Sequence, residues 1–239
     1  MAGREGGPRR WYGQPMNLSA VLARFGLGDE DLEAWRSSGL PEEEFDGWLT
    51  DRVARRPTGA RARAVYGAED VHDFARVAIL EALGLGPGDR LLEVGCGGGL
   101  LLRDALALGA EATGIDHSED MVALARERAP GAEVLEAEAE RLPFADGAFT
   151  AVAMSVVFFF FERPEIVLAE AGRVLGPAGR MAIYTTAPEL RGTPAAPEPV
   201  ASQGQFHSDE ELAALARAAG FPDVTVRNRD GGQLLSASL

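Results

Sequence analysis

The stretch LLEVGCGGGLLL, residues 91–102, enters a loop from an apolar run and leaves it on another. Four of the five residues from Gly95 to Gly99 are glycine. A loop so poor in side chains suits a ligand that must approach the backbone closely. Around it stand residues able to meet such a ligand. Glu93 lies inside the apolar run, where a carboxylate is costly unless it meets a donor or a cation. Asp116 ends the next apolar segment, EATGID, about where a ribose-binding acid follows a glycine loop. Further on, Glu138 and the backbone amide of Ala139 offer an acceptor and a donor. This set could meet ribose hydroxyls at Asp116, with a donor or cation near Glu93 and a further acid and amide at the next strand end.

The positions make sense only if particular elements carry them. From residue 89 onward, strand and helix patterns alternate: DRLLEVGC then GLLLRDALALG, EATGID then SEDMVALARERA, AEVLEAEAE and a loop, FTAVAMSVVFFFF then PEIVLAEAGRVL, a turn at 176–179, and RMAIYTTA. The order predicts a doubly wound, mostly parallel sheet of α/β class. The helix SDEELAALARAAG and the strands DVTVRNR and GQLLSASL follow, with a hairpin signal at Asp230–Gly232, so one C-terminal strand runs antiparallel. In such sheets ligands bind beyond the carboxyl ends of the strands, which is where the glycine loop and Asp116 fall. An amphipathic helix is expected over 69–84. Short helices over 19–56, including PEEEFDGWLTDRVARR, form an N-terminal cap, after a Gly-, Pro- and Arg-rich segment, residues 1 to about 15, expected to be disordered. The expected division is 1–65 for tail and cap and 66–239 for the ligand-binding domain, with a Pro-rich insertion at 187–206.

Composition narrows the partners. The 239 residues carry a net charge of −14, and every cation except histidine is arginine, since the chain has no lysine. That charge argues against nucleic acid, whose affinity rests on neutralised phosphates. The single cysteine, Cys96, precludes an internal disulfide and fits a reducing, cytoplasmic setting. The N-terminal residues have no apolar core of a secretion signal. No apolar run reaches the roughly 18 residues of a membrane span. The longest, Ala151–Phe161, reads as a buried strand. No close-set cluster has metal-ligand spacing.

In order and spacing, EVGCGGG, GIDHS, EAERLPFADGAF and RVLGPAGR resemble the class I S-adenosylmethionine-dependent methyltransferases, in their small-molecule, quinone-biosynthesis-like branch. The resemblance spans residues 66–239 and implies a Rossmann-like seven-stranded sheet. It implies S-adenosylmethionine as cofactor and S-adenosylhomocysteine as product. Glu93 is then expected to support the methionine ammonium, Gly95, Cys96 and Gly97 to run beneath the methionine and ribose, and Asp116 to take both ribose hydroxyls. His117 and Met121 would flank the adenine, Glu138 and Ala139 would meet its edge, Ser155 would lie near the methionine, and Tyr66 would close over the cofactor. Phe149–Thr150 departs from the family, which often has an acid after the aromatic, and Gly176–Gly179 departs slightly from its Pro-Gly-Gly turn.

The expected reaction is methyl transfer to a small, hydrophobic acceptor through oxygen, nitrogen or carbon, by a monomer or homodimer. The cap and the 187–206 insertion would form a lid. His207 is the candidate general base, although a surface histidine beside a helix cap explains it as well. Alternate rings of Phe158–Phe161 would reach an acceptor pocket, and Cys96 reads as packing rather than as a nucleophile. Three rivals remain at this point: a cofactor-retaining cyclase of the same fold, a non-catalytic binding protein, and a nicotinamide oxidoreductase, against which Leu100 counts because it replaces the last glycine of that fingerprint.

Overall fold

A computed structural model describes residues 10–11, 14–15, 17–69 and 72–239. Residues 1–9, for which disorder is expected, lie outside that set. Within the same N-terminal stretch the backbone of Arg10–Trp11 pairs antiparallel with Gln14–Pro15. The chain divides into two units, residues 1–49 and 50–239, so residues 50–65 fall with the second unit and not with the first.

The first unit holds α1 (Leu18–Arg24), α2 (Asp29–Ser37) and the start of α3 (Phe45–Thr50). Asn17 caps α1 by accepting from the Ala20 amide, and Asp31 reaches back to the Gly28 amide at the head of α2. The rings of Trp35, Phe45 and Trp48 meet at 5.1–6.0 Å, edge-on, tilted and stacked, and form the unit's aromatic centre. The helix expected from Pro41 is present but uneven: a 3-10 turn at Glu42–Glu44 leads into α3, and a π turn at Asp51–Arg55 follows.

The second unit begins with α4 (Gly59–Tyr66) and α5 (Asp73–Leu83). Seven strands follow: β1 (Arg90–Val94), β2 (Glu111–Asp116), β3 (Glu133–Glu136), β4 (Phe149–Ser155), β5 (Leu175–Thr186), β6 (Asp223–Arg229) and β7 (Gly232–Ser238). Their order is β3-β2-β1-β4-β5-β7-β6, with β7 antiparallel to both β5 and β6 and every other pair parallel. The connecting helices are α6 (Leu100–Ala107), α7 (Glu119–Arg128) and α8 (Pro164–Val174), then the short α9 (Val200–Gln203) and α10 (Asp209–Ala218). The expected α/β class and doubly wound sheet are therefore found.

Period-two alternation assigns the faces of the sheet. Leu91, Ala151 and Ala153 pack with Ile79 of α5, Leu102 of α6 and Val122 of α7 on one side. Leu92, Val152 and Met154 pack with Leu168 of α8 and Leu212 of α10 on the other. Helices on both faces explain why β1 and β4 read as largely apolar runs rather than as alternations.

Three expected boundaries move. The strand expected through Phe161 stops at Ser155. Val156 still donates its amide to the Tyr184 carbonyl at 2.8 Å but takes a left-handed φ of 57°, and Phe158–Phe160 then form a 3-10 turn. An apolar run alone cannot separate a strand from a short helical turn. The strand expected over 132–140 ends at Glu136, where the Ala137 amide makes the last ladder bond, to the Asp116 carbonyl at 3.1 Å. The turn at Gly176–Gly179 is a bulge within β5: pairing jumps from Phe149–Leu175 to Ala151–Arg180, with Ala178 at φ 59°.

Candidate active site

The carboxyl ends of the strands enclose a cavity of about 260 Å³. Its wall follows the strand order. Ala137 and Ala139 come from beyond β3, Ile115 and Asp116 from β2, Glu93 and the glycine loop from β1, Ser155 from β4, and Thr186 from β5. The topological switch between β1 and β4 lies in the middle of it, where open α/β sheets bind ligands.

The glycine loop is clamped by its neighbours and open at one place. A side chain on Gly99 would put its Cβ 2.8 Å from the Ala125 backbone of α7, and φ there is +77°. Gly97, at φ +49°, would meet nothing within 4 Å, so its missing side chain leaves room on the cavity side. Arg128 of α7 holds the loop in place: Nη1 donates to the Gly98 and Tyr66 carbonyls at 2.9 and 3.0 Å, and Nη2 to the Gly67 carbonyl at 2.6 Å. Cys96 is 5 % exposed and fills the space above Gly114, where a Cβ would come within 2.9 Å of Sγ. Burial pushes its thiol well up, so it packs as a neutral group.

Asp116 ends β2 with its carboxylate pointed at the loop. Oδ2 accepts from the Gly97 amide and Oδ1 from the Ser118 amide, each at 2.9 Å. Burial raises its pKa against the pull of those amides. Glu93 is 3 % exposed, and its Oε2 is buried with no hydrogen-bond partner among the described residues. Burial pushes its carboxyl well above the usual range, and the nearby Asp116 adds to the shift.

Arg76 of α5 stands close enough to Glu93 to oppose that shift. Its Nη2 pairs with Asp73 and its Nε with Asp104, both at 2.6 Å, while Nη1 is buried with no partner among the described residues. The cavity thus contains a carboxyl oxygen and a guanidinium nitrogen without protein partners among the described residues, which can seat a zwitterionic head group. Sequence reasoning missed Arg76 and Arg128, because Asp104, which holds Arg76, and the carbonyls that hold Arg128 lie 28 to 62 positions away and leave no local pattern.

Tyr66, Ser155, Met121 and His117 also line the cavity. Met121 is 1 % exposed and packs with Ala62, Leu124 and Tyr66, while the Tyr66 hydroxyl donates to the Ala54 carbonyl at 3.4 Å. His117 Nε2 lies 2.5 Å from the Arg55 carbonyl and so must donate to it. Glu138 is not part of the lining. It faces a neighbouring hollow and pairs with Arg56 at 3.5 Å. His207 is also outside the lining: its ring lies 6.0 Å from Phe158, and its carbonyl accepts from Gln233 Nε2. Besides His117, the histidine that lines the cavity is His72.

The wall beyond β4 is apolar. Phe159, Phe160 and Phe161 all face the cavity, because the 3-10 turn replaces the alternation expected of a strand, and Phe158 goes into the core at 1 % exposure. Ala195, Pro197 and Val200 of the 187–206 insertion complete this side. Thr150, where the family often has an acid, lies at the opposite edge of the sheet and donates to Asp89 at 2.8 Å. Among the described residues no group of three His, Cys, Asp or Glu side chains could hold a metal ion. No helix among them is long and apolar enough to cross a membrane.

Residues 92–183 match the family model of a methyltransferase domain. Over 181 residues the chain is 33 % identical to a demethylmenaquinone methyltransferase of Beutenbergia cavernae, covering 66 % of this chain and 75 % of the relative. The chain belongs to the class I S-adenosylmethionine-dependent methyltransferases. A solved methyltransferase of Thermotoga maritima, described as a possible histamine N-methyltransferase, is 28 % identical with a TM-score of 0.58, over 70 % of this chain and 91 % of that one. The [4+2]-cyclase SpnF shares the fold at 23 % identity and a TM-score of 0.58, over 71 % of this chain and 80 % of its own. The methyltransferase uses S-adenosylmethionine to methylate a small molecule, and the cyclase alternative is not favoured.

Proposed function

We propose that this methyltransferase modifies a flat, apolar acceptor of quinone-precursor type, held against the aromatic wall of the cavity. The observation that carries the reading is the three-ring wall of Phe159, Phe160 and Phe161 at the β4 end of a cavity whose β1–β2 end is polar. The name of the Beutenbergia cavernae relative agrees with such an acceptor.

The residues present fit S-adenosylmethionine. Asp116 keeps lone pairs free for two ribose hydroxyls, and Gly97 leaves space for a ligand over the loop. Glu93 Oε2 would take the methionine ammonium and Arg76 Nη1 its carboxylate, so each orphaned group gains a partner. Met121 and His117 would flank the adenine, with the Ala139 amide at its edge. Glu138 would need to turn from Arg56 to join them. When bound, the cofactor supplies a methyl group already activated on a sulfonium, so the protein mainly aligns the acceptor with it. The aromatic wall, with Ala195, Pro197 and Val200 of the insertion as part of a lid, would exclude water from that alignment. We place the reaction in the cytoplasm, which the single unpaired cysteine supports, and assign it to a monomer or homodimer.

The test is calorimetry with S-adenosylmethionine and S-adenosylhomocysteine, followed by product counting with 1-naphthol and other bicyclic phenols. The reading requires binding of both nucleosides and one S-adenosylhomocysteine per methylated product. Methylation confined to polar, charged acceptors would refute the aromatic-wall assignment.

A further inference from the structure

We propose that His72 is the general base of the methyl transfer and that the acceptor presents an acidic hydroxyl group to it. This rests on the methyl-transfer reading above and names the chemical class of the acceptor.

The argument begins with position. His72 precedes α5, whose residues pack against β4 and β5. The chain places its ring beside Phe74 at 6.1 Å, and Phe74 in turn meets Tyr184 of β5 at 5.4 Å. Tyr184 lies two residues before Thr186, which lines the cavity. His72 is thereby tied to β5, which pairs with β4, the strand whose end carries the phenylalanine wall. The lining at that end comprises Phe, Val, Ala and Pro side chains with Ser155, Thr186 and His72, and no Asp or Glu. An acceptor ammonium would find no carboxylate there; a neutral hydroxyl would find an imidazole.

Two further observations converge. His72 makes no side-chain hydrogen bond among the described residues, and it lines the cavity. Its backbone is held left-handed, at φ 54°, a conformation rarely taken without glycine. Val156, the other residue of the cavity wall in that state apart from glycine, aims the phenylalanine turn. Burial lowers the pKa of His72, which keeps the imidazole neutral and able to accept a proton near neutrality. The charged side chains around it are accounted for. Asp73 and Arg76 on the same helix pair with each other, Arg76 also pairs with Asp104 of α6, and Glu93 of β1 lines the same cavity.

The step balances. The hydroxyl proton passes to a ring nitrogen of His72. The electron pair of the acceptor oxygen, or of the ring carbon conjugated with it, forms the bond to the methyl carbon. The methyl–sulfur bond breaks with its pair left on sulfur. If carbon takes the methyl, that carbon then loses its hydrogen as a proton to solvent, and the imidazolium returns its own proton to the acceptor oxygen.

The experiment compares the wild type with His72→Asn, which tolerates the left-handed backbone, and with His72→Ala. Each is measured for S-adenosylhomocysteine affinity, and for turnover of S-adenosylmethionine with 1-naphthol and with 1-naphthylamine from pH 6 to 9. In both variants affinity should stay within about threefold, while 1-naphthol turnover near pH 7 falls about 100-fold or more, the lower range for a lost general base. The deficit should shrink toward pH 9 as the naphthol ionises unaided. Turnover kept within about threefold overturns the proposal. So does an affinity loss equal to the turnover loss, which marks a structural role, or methylation of the amine without the phenol, or no turnover of 1-naphthol by protein that binds the cofactor. Failure of S-adenosylhomocysteine to bind the wild type instead defeats the cofactor reading beneath it.

Discussion

Glu93 is a carboxylic acid that the fold keeps at its own expense. Its pKa is raised by burial, so between the ordinary glutamate value of about 4.3 and the raised one the folded chain retains a proton that the unfolded chain has released. Stability therefore falls as pH rises through that window. Glu93→Gln should be more stable than the wild type at pH 8, with the gain shrinking as pH drops toward about 4, read from denaturant midpoints. The same variant should bind S-adenosylmethionine more weakly by about 1.5–3 kcal/mol, the scale of a hydrogen bond to a charged group. Asp116→Ala should lose a similar amount of cofactor affinity in calorimetry, and unchanged affinity would remove the ribose assignment. At this scale the sequence was legible where chemistry sits inside a local pattern. Glu93 in an apolar strand and Asp116 at a strand end both line the cavity. Arg76, Arg128 and His72 were not legible as site residues, because each acquires its role only when α5 or α7 packs against the strand ends. His207 and Glu138 show the converse: both stand in plausible sequence positions, yet neither lines the cavity.

At the scale of elements, the glycine loop separates two jobs that its sequence merges. Gly99→Ala puts a Cβ against the Ala125 backbone at positive φ, so it should cost more than about 2 kcal/mol of stability, as strained, overpacked positions do. Gly97→Ala meets no protein atom. It should cost only about 1 kcal/mol but lower cofactor affinity at least tenfold, because the new methyl occupies ligand space. Thermal melts and calorimetry on the two variants distinguish the roles. The alternating pattern from residue 89 onward revealed the strands and helices because each face of the sheet buries its own set of side chains. The end of β4 did not show in the sequence. Nothing in VVFFFF states that Val156 turns left-handed and that the next residues wind into a 3-10 turn; that depends on the pairing with β5 and on Val157 packing beside Gly95.

For the whole molecule, a ligand that binds only the folded state adds its binding free energy to stability. At 100 times its dissociation constant, S-adenosylhomocysteine should contribute about 2.7 kcal/mol, and for a chain of this size raise the unfolding midpoint by roughly 5–10 °C. NADH should leave the midpoint unchanged. A shift with NADH alone would reverse the reading of the glycine loop.

One thiol lies under that loop. Cys96 is the chain's only cysteine and packs into the hollow of Gly114, so a thiol reagent can reach it only when the loop lifts away from β2. The protein therefore contains its own single-site timer. The rate at which Cys96 is modified under native conditions measures how often the cofactor floor opens, and the slowing caused by a ligand measures how firmly that ligand closes it.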